Sequence, residues 1–463
     1  MSSFLAHLNR VPLDARIYVG LELHYRLLFV RTLAILIQKA GGKASIVRAF
    51  IFPRRVFLIK LRPLIFFCLV LRSGDPAAGQ SDTVFPKRTD PLHVRIAHYE
   101  QIARTDHWNE GLILPRVIFP PAGLDRPVIG GHADALDETG HLLVGYCYKY
   151  AVTQDPADRA VADQLFDGIA RLETVTGVPG WIARSFYRSD APLWHEAVLW
   201  YPMEWHASSS MPGYRWPGDL SSDKFTSLFY SLGIYWELCA DTAHRQRAAD
   251  LLDRFIGRVI DDRFRLVDLD GKMTLWGNFC PDLPHQPLNS LEMLAGLKVC
   301  HRLSGKARFD QAYHILIDRY HYDDHQLESK VIWPEEWRNR WDDNHAAKSL
   351  YMLLRYEEDR SLLIKYRMNL NRHWHVWRTH DFSFECDALY VLLYQVLTGE
   401  NVLTPERIQA IKDLRGFERR ESEFTIPGVQ GVKRVRAMEQ KSNCTLIQTY
   451  WFGRYYGLID PSW

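Results

Sequence analysis

Five times in succession the chain sets a run that is apolar on nearly every face ahead of one that is charged on most of its faces. The first kind is aromatic-rich: "HLLVGYCYKYAVTQD", "FTSLFYSLGIYWELCAD", "SLEMLAGLKVCHRLSG", "AAKSLYMLLRYEED" and "ALYVLLYQVLTGE". The second kind follows each after a short polar turn, at 156–173, 241–260, 306–320, 358–374 and 404–415. A helix apolar all round must be buried, whereas one with a single apolar stripe lies on the outside. A hairpin of one inner and one outer helix cannot bury itself alone, so neighbouring units must stack. A sixth inner run, "CTLIQTYWFGRYYGLI", ends the chain, and the segment around "RIAHYEQIA" is its expected outer partner, which closes the units into a ring. Irregular spacing, and long connections at 174–218 and 262–288, argue against an open helical solenoid. Connections of that length within a compact domain are usually functional.

Each inner run is preceded by a polar cluster. In order these are "GHADALDETGH", "GDLSSDK", "PLNSLE", "RWDDNH", "FSFECD" and "EQKSNC". Ser, Asp and Asn at such positions serve as helix caps, and first-turn acids suit the helix dipole; "NSLE" also reads as a capping box built on Ser290 or Asn289. Yet "GDLSSDK" and "RWDDNH" hold more polar groups than one cap uses. The flanking loops are dense in aromatics. Residues 174–218 carry Trp181, Trp194, Trp200, Trp205 and Trp216 with three Tyr, and Trp276, Trp333, Trp337 and Trp341 follow in later loops. Such rings either staple loops to the body or offer flat faces to a ligand.

Six inner and about six outer helices in a ring resemble the (α/α)6 toroid of glycoside hydrolases and polysaccharide lyases, over residues 90–463. The resemblance implies an all-α fold whose inner helices run parallel, with their N-termini at one mouth ringed by the long loops. It implies a carbohydrate substrate and the cleavage of glycosidic bonds. Hydrolysis needs one carboxyl kept protonated and a second kept ionised. Asp223 and Asp343 are the first candidates, with Asp219, Glu138 and Glu385 in reserve. His132, Asp137, Arg184, Tyr187, Trp216, Trp276, Asn289, Glu292 and Trp337 are the candidate substrate contacts. The loop 174–218 is expected to cover the mouth, exposing at least one of Trp181, Trp194, Trp205 and Trp216 there. A lyase acting on a uronate-containing glycan would instead use Tyr187 or His132 as base, with Arg184 and Asn289 neutralising the carboxylate. A terpenoid-type dehydratase or isomerase on the same toroid, and a non-catalytic binding scaffold, are the further alternatives.

The formal net charge of +2 conceals a split. Residues 1–75 hold 12 Lys and Arg against 3 acids, and the remainder holds 45 against 52. The body is therefore mildly acidic and carries no nucleic-acid footprint. The basic head ends in "FPRRVFLIKLRPLIFFCLVLRSGDPAAGQ", residues 52–80, where an Arg pair, a short apolar run and small residues read as an export signal of twin-arginine type. Its apolar run is too short to span a membrane. Residues 1–80 are thus expected to be an extension with a signal, and the rest a periplasmic or secreted domain without stable membrane insertion. Of seven Cys, one falls in this segment; the others are scattered, with no C-x-x-C and no metal spacing. No H-E-x-x-H, P-loop, dinucleotide-binding or nucleophile-elbow motif occurs. Neither metal nor cofactor is expected.

Overall fold

The computed structural model describes residues 85–119, 128–190, 204–282, 286–417, 419–428 and 431–463. The segment read as an export signal, along with Trp194 and Trp200, lies outside them. Residues 82–463 form one compact unit.

Among the described residues, twelve helices of eight residues or more order this unit. They are α1 (Leu92–Thr105), α2 (Ala135–Thr153), α3 (Pro156–Thr174), α4 (Ser222–Leu238), α5 (Thr242–Asp261), α6 (Pro287–Ser304), α7 (Ala307–Tyr320), α8 (Arg340–Tyr356), α9 (Arg360–Trp377), α10 (Asp387–Thr398), α11 (Pro405–Lys412) and α12 (Cys444–Tyr455). The even-numbered helices are the inner ones. Each packs on the next, from α2 through α4, α6, α8 and α10 to α12, and α12 returns to α2. The ring is closed. Outside it α3 lies on α2, α5 on α4 and α6, α7 on α6, and α9 on α8 and α10. The N-terminal α1 covers α12, as the pairing of hairpins requires. The fold is an all-α (α/α)6 toroid.

Sequence periodicity explains the two layers. On α4, every residue from Lys224 to Tyr235 is buried, so no face is left for water. On α5, burial falls on Ala248, Leu251, Leu252, Phe255, Ile256 and Val259 among others, one stripe at helical spacing. Inner-to-outer turns are short, and left-handed residues such as Gly305 and Gly399 end α6 and α10. The inner helices also approach closely. A Cβ on Gly296 of α6 would lie 2.6 Å from the Phe225 ring of α4, so even Ala there would displace that ring.

Four of the outer-to-inner connections carry the strands, the first beginning with the two-stranded pair β1 (Trp108–Asn109) and β2 (Leu112–Ile113). A four-stranded antiparallel sheet has the order β10 (Arg420–Gly428), β11 (Gly431–Lys441), β3 (Arg116–Ile118), β4 (Val128–Gly130). Its register sets Lys441 opposite Arg116 and Glu439 opposite Ile118. Strands β5 (Tyr187–Arg188), β7 (Tyr214–Pro217) and β6 (Trp205–Ala207) form a second sheet, and β8 (Arg265–Val267) and β9 (Met273–Asn278) a hairpin. Among the described residues no helix is long and apolar enough to cross a membrane. The six described cysteines are all buried and unpaired.

Candidate active site

Four of the outer helices use their polar starts as caps. Asp155, Asp241, Asp359 and Thr404 each accept a backbone N–H in the first turn of α3, α5, α9 and α11. Inner helices mostly do not. Only α8 has a side-chain cap, in which Asn339 accepts from the Trp341 N–H. At the start of α4 the Ser221 hydroxyl bonds to Asp223 and leaves the helix N–H groups alone. The "NSLE" stretch is no capping box either, because α6 already begins at Pro287 and Gln286 holds the cap position. The polar clusters at the inner starts are therefore left over for other work.

They converge on one cavity of about 1030 Å³. Asp134, Asp137, Glu138 and His141 enter it from α2 and the turn before it, and Ser221, Ser222 and Asp223 from α4. Asn289 comes from α6, Trp341, Asp342, Asn344 and His345 from α8, Glu385 from just before α10, and Ser442 and Asn443 from the start of α12. The β9 strand adds Leu275 and Trp276 at one edge; Arg116, Arg420 and Lys441 of the large sheet stand at another.

Two groups of carboxyls differ in electrostatic setting. In the first, oxygens of Asp134, Asp137 and Asp223 lie within 4.8 Å of one another. Lys224, fully buried, sends its ammonium to Asp134 at 2.9 Å, Asp223 at 2.6 Å and Asp137. The trio could offer ligands to a metal, but the lysine already fills that place. Burial alone would raise the Asp223 carboxyl; Lys224, His345 and Arg184 overcome it and hold the group well below the carboxylate range. Asp223 is thus ionised. Burial alone would lower the Lys224 ammonium, and the three carboxylates raise it instead.

In the second group, burial and then the neighbouring Glu138 charge push Glu385 up to about 7. Glu138, which accepts the Ser442 hydroxyl at 2.5 Å, is raised chiefly by burial and then by Asp137. This pair can carry a proton at neutral pH. His345 also lines the cavity, with its Nδ1 3.3 Å from the buried Glu292; burial opposes its charge, but Glu292 and Asp223 raise it. Under the floor, Lys348 donates to the Ser227 hydroxyl at 3.0 Å, and Ser227 in turn donates to Asp137.

Several expected site residues lie elsewhere. Asp343, 1% exposed, points away from the mouth to Lys330 at 2.6 Å and His373 at 3.2 Å. Its neighbour Asp342 takes the mouth position, because successive helix residues differ by about 100° in direction. Asp219, in the left-handed region at φ 57°, accepts the Leu275 N–H at 3.0 Å and offers its own N–H to Asp268 at 2.5 Å. It pins the hairpin that carries Trp276. His132 bonds Ser185 at 2.9 Å and packs on Tyr187 and Trp205, so neither it nor Tyr187 lines the mouth. Trp216 is buried against His206 with ring centres 4.5 Å apart. Glu292 is buried behind His345, and Trp337 is exposed but off the cavity. Arg184 does reach the mouth while holding the Asp219 carbonyl at 2.7 Å, and Asn289 does so while bonding the Asn278 carbonyl.

The described part of the loop 174–218 does not supply the aromatic surface of the mouth. Of its described Trp residues none lines the mouth; Trp181 and Trp216 flank a smaller cavity beneath the β8–β9 hairpin. Trp276 and Trp341, 63% and 52% exposed, line the mouth together with Phe384 and Phe417.

No family model matches the sequence, and no curated protein matches it. Among solved structures, a glycoside hydrolase family 76 mannosidase from Bacteroides thetaiotaomicron aligns over 79% of this chain and 98% of its own, at 10% identity and a TM-score of 0.45. An endoglucanase from Alicyclobacillus acidocaldarius aligns over 69% and 66% at 13% identity, with a TM-score of 0.40. A cellobiose 2-epimerase from Spirochaeta thermophila aligns over 70% and 84% at 13% identity, with a TM-score of 0.35.

Proposed function

We propose that the mouth is the catalytic centre of a carbohydrate-active enzyme that hydrolyses glycosidic bonds. The observation that carries this reading is the coexistence, in one cavity, of an ionised carboxylate and a carboxyl pair able to hold a proton at neutral pH. Glycosidic hydrolysis asks for that division of labour. Glu385, with Glu138 beside it, protonates the leaving oxygen. Asp223, kept ionised by Lys224, either activates water or attacks the anomeric carbon. Exposed faces of Trp276 and Trp341 hold sugar rings by stacking, and Arg184 and Asn289 fix the loops around them.

The lyase reading loses both of its named bases, since Tyr187 and His132 are packed in the β5–β7–β6 region rather than at the mouth. A closed apolar pocket, as terpenoid chemistry requires, does not fit a cavity lined by six carboxylates from the inner helices and the turns before them. A scaffold would leave the acids dispersed to solvent. We extend the reading to export of the domain, on the pattern of residues 52–80; the N-terminal mass of the protein recovered from a periplasmic fraction tests that step.

The decisive experiment incubates the purified protein with a panel of oligosaccharides, reading both new reducing ends and the absorbance of unsaturated uronate. Asp223→Asn should retain the melting temperature within a few degrees and lower turnover by about 10²- to 10⁴-fold. Glu385→Gln should abolish an alkaline limb near pH 7 in kcat/KM, because activity falls as the proton donor ionises. Unsaturated products, or full activity in Asp223→Asn, would overturn the hydrolytic reading.

A further inference from the structure

Behind the mouth lies a carboxylate that the hydrolytic reading leaves idle. Glu292 on α6 is fully buried, and among the described residues its one ion pair is with His345 on α8, whose Nδ1 lies 3.3 Å away. Neither of its oxygens has a further hydrogen-bond partner there. A buried carboxyl held so lightly costs free energy, so packing alone would favour an apolar residue at that position. A carboxylate behind an imidazole does something else: it fixes the tautomer and direction of the ring. The Nδ1 atom is itself buried, while His345 lines the cavity. With Nδ1 turned to Glu292, Nε2 is the nitrogen left for the cavity. Asp223 is placed differently. One of its oxygens accepts the Ser221 hydroxyl and the Lys224 N–H, the latter at 2.9 Å, and the other accepts the Lys224 ammonium at 2.6 Å. To take a proton it must give up that ammonium, so it suits the support of positive charge better than the role of base.

We propose that His345, oriented by Glu292, is the base that takes the proton from the attacking water, while Asp223 stabilises the positive charge developing on the sugar. The proposal rests on the hydrolytic reading and assigns the step which that reading leaves open between water activation and direct attack. As the water oxygen bonds to the anomeric carbon, Nε2 receives one of its protons. The bond from that carbon to the glycosidic oxygen breaks, and Glu385 gives its proton to the leaving oxygen. His345 has then gained one proton and Glu385 has lost one, and solvent resets both. Direct displacement by water inverts the anomeric configuration. The titratable and charged groups facing the ring are Asp223 from α4, Glu292 from α6, His141 from α2, and Asp342 and Lys348 from its own helix. Burial keeps His141 neutral. Burial also opposes the His345 imidazolium, but Glu292 and then Asp223 raise it above the ordinary value, which places this base near the working pH that proton transfer favours.

The test uses the full protein and the oligosaccharide of the panel that it hydrolyses fastest. Proton NMR of the first product should show inversion. In the wild type kcat/KM should fall on the acid side through a titration above about 6.5, because the base is lost as it gains a proton. His345→Gln should lower kcat by about 10²- to 10⁴-fold and remove that limb. Glu292→Gln, which takes away the charge that supports the imidazolium, should move the limb to lower pH by about one unit. Should Glu292→Gln fold poorly, nitrogen NMR of histidine-labelled wild type gives a second measure. One signal, missing from His345→Gln, should keep Nδ1 protonated across the neutral range while Nε2 titrates. A retained configuration, an acid limb that survives in His345→Gln or stays put in Glu292→Gln, or titration at Nδ1 would overturn the assignment. Failure of the hydrolytic reading shows separately, as unsaturated products or no turnover on any sugar; it takes this role with it but leaves the NMR titration of His345 unchanged.

Discussion

Replacing Lys224 by Met tests the electrostatic design of the mouth most directly. The side chain is fully buried, and its ammonium holds Asp223 at 2.6 Å, Asp134 at 2.9 Å and also Asp137. Met keeps the length of the stem and removes the charge, leaving three carboxylates facing one another. Deleting one partner of a buried ion pair costs about 3–5 kcal/mol. Asp134 is 58% exposed and can turn to water, which places the expected loss at the lower end, about 3 kcal/mol at pH 7. For a folded unit of this size that corresponds to a fall in Tm of roughly 4 °C. The pH dependence has a definite sign. Asp223 has a depressed folded value, so its stabilising contribution is present above its unfolded value, near about 4, and is lost as the pH falls below it. In the variant the crowded carboxylates take up protons at higher pH, which relieves their repulsion. The gap between wild type and variant should therefore be widest near neutrality and shrink as the pH falls through about 5 to 3. Thermal unfolding at both ends of that range measures it, and adding Asp137→Asn to the variant should recover part of the loss at pH 7. Equal melting temperatures at pH 7, or a gap that does not shrink in acid, would show that the lysine charge is not what holds the cluster.

Lys348→Met should have the opposite effect. That ammonium is buried with a hydroxyl as its hydrogen-bond partner, and burial lowers it, so removing the charge should raise stability by about 1 kcal/mol. The folded wild type also binds fewer protons at this site than the unfolded chain, so its stability should rise with pH towards about 10; calorimetry should find that slope flattened in the variant. Asp343→Asn, which breaks the buried pairs to Lys330 and His373, should cost about 3 kcal/mol and leave kcat/KM nearly unchanged; an activity loss as large as that of Asp223→Asn would restore it to the catalytic set. Trp276→Ala should raise KM several-fold with little change in kcat or Tm, as expected for an exposed contact made equally in ground and transition states, read from initial rates on the best substrate of the panel.

The ring of helices was legible because burial writes a direct periodicity into each helix. The mouth was legible in part, and the misses have separate causes. On α2 the polar residues 134, 137, 138 and 141 recur at helical spacing, so their shared face follows from the sequence, and all four line the cavity. The same argument applied to α8 would have chosen Trp341, Asp342, His345 and Lys348, spaced by three and four, over Asp343, which lies off that stripe. The signal was present; choosing between adjacent acids required the helical wheel rather than the cluster. Aromatic density in 174–218 carried no such phase information. Whether a loop ring packs or projects depends on the partner it meets, and Trp216 met His206 while Trp276 met solvent. The cationic edge was out of reach for a different reason. Arg116 and Lys441 are remote in the chain and become neighbours only through the register of β11 on β3, which no local pattern in either segment specifies. A one-residue slip in that pairing would turn Lys441 to the other face of the sheet, so the charge of the mouth depends on strand register even though the toroid does not.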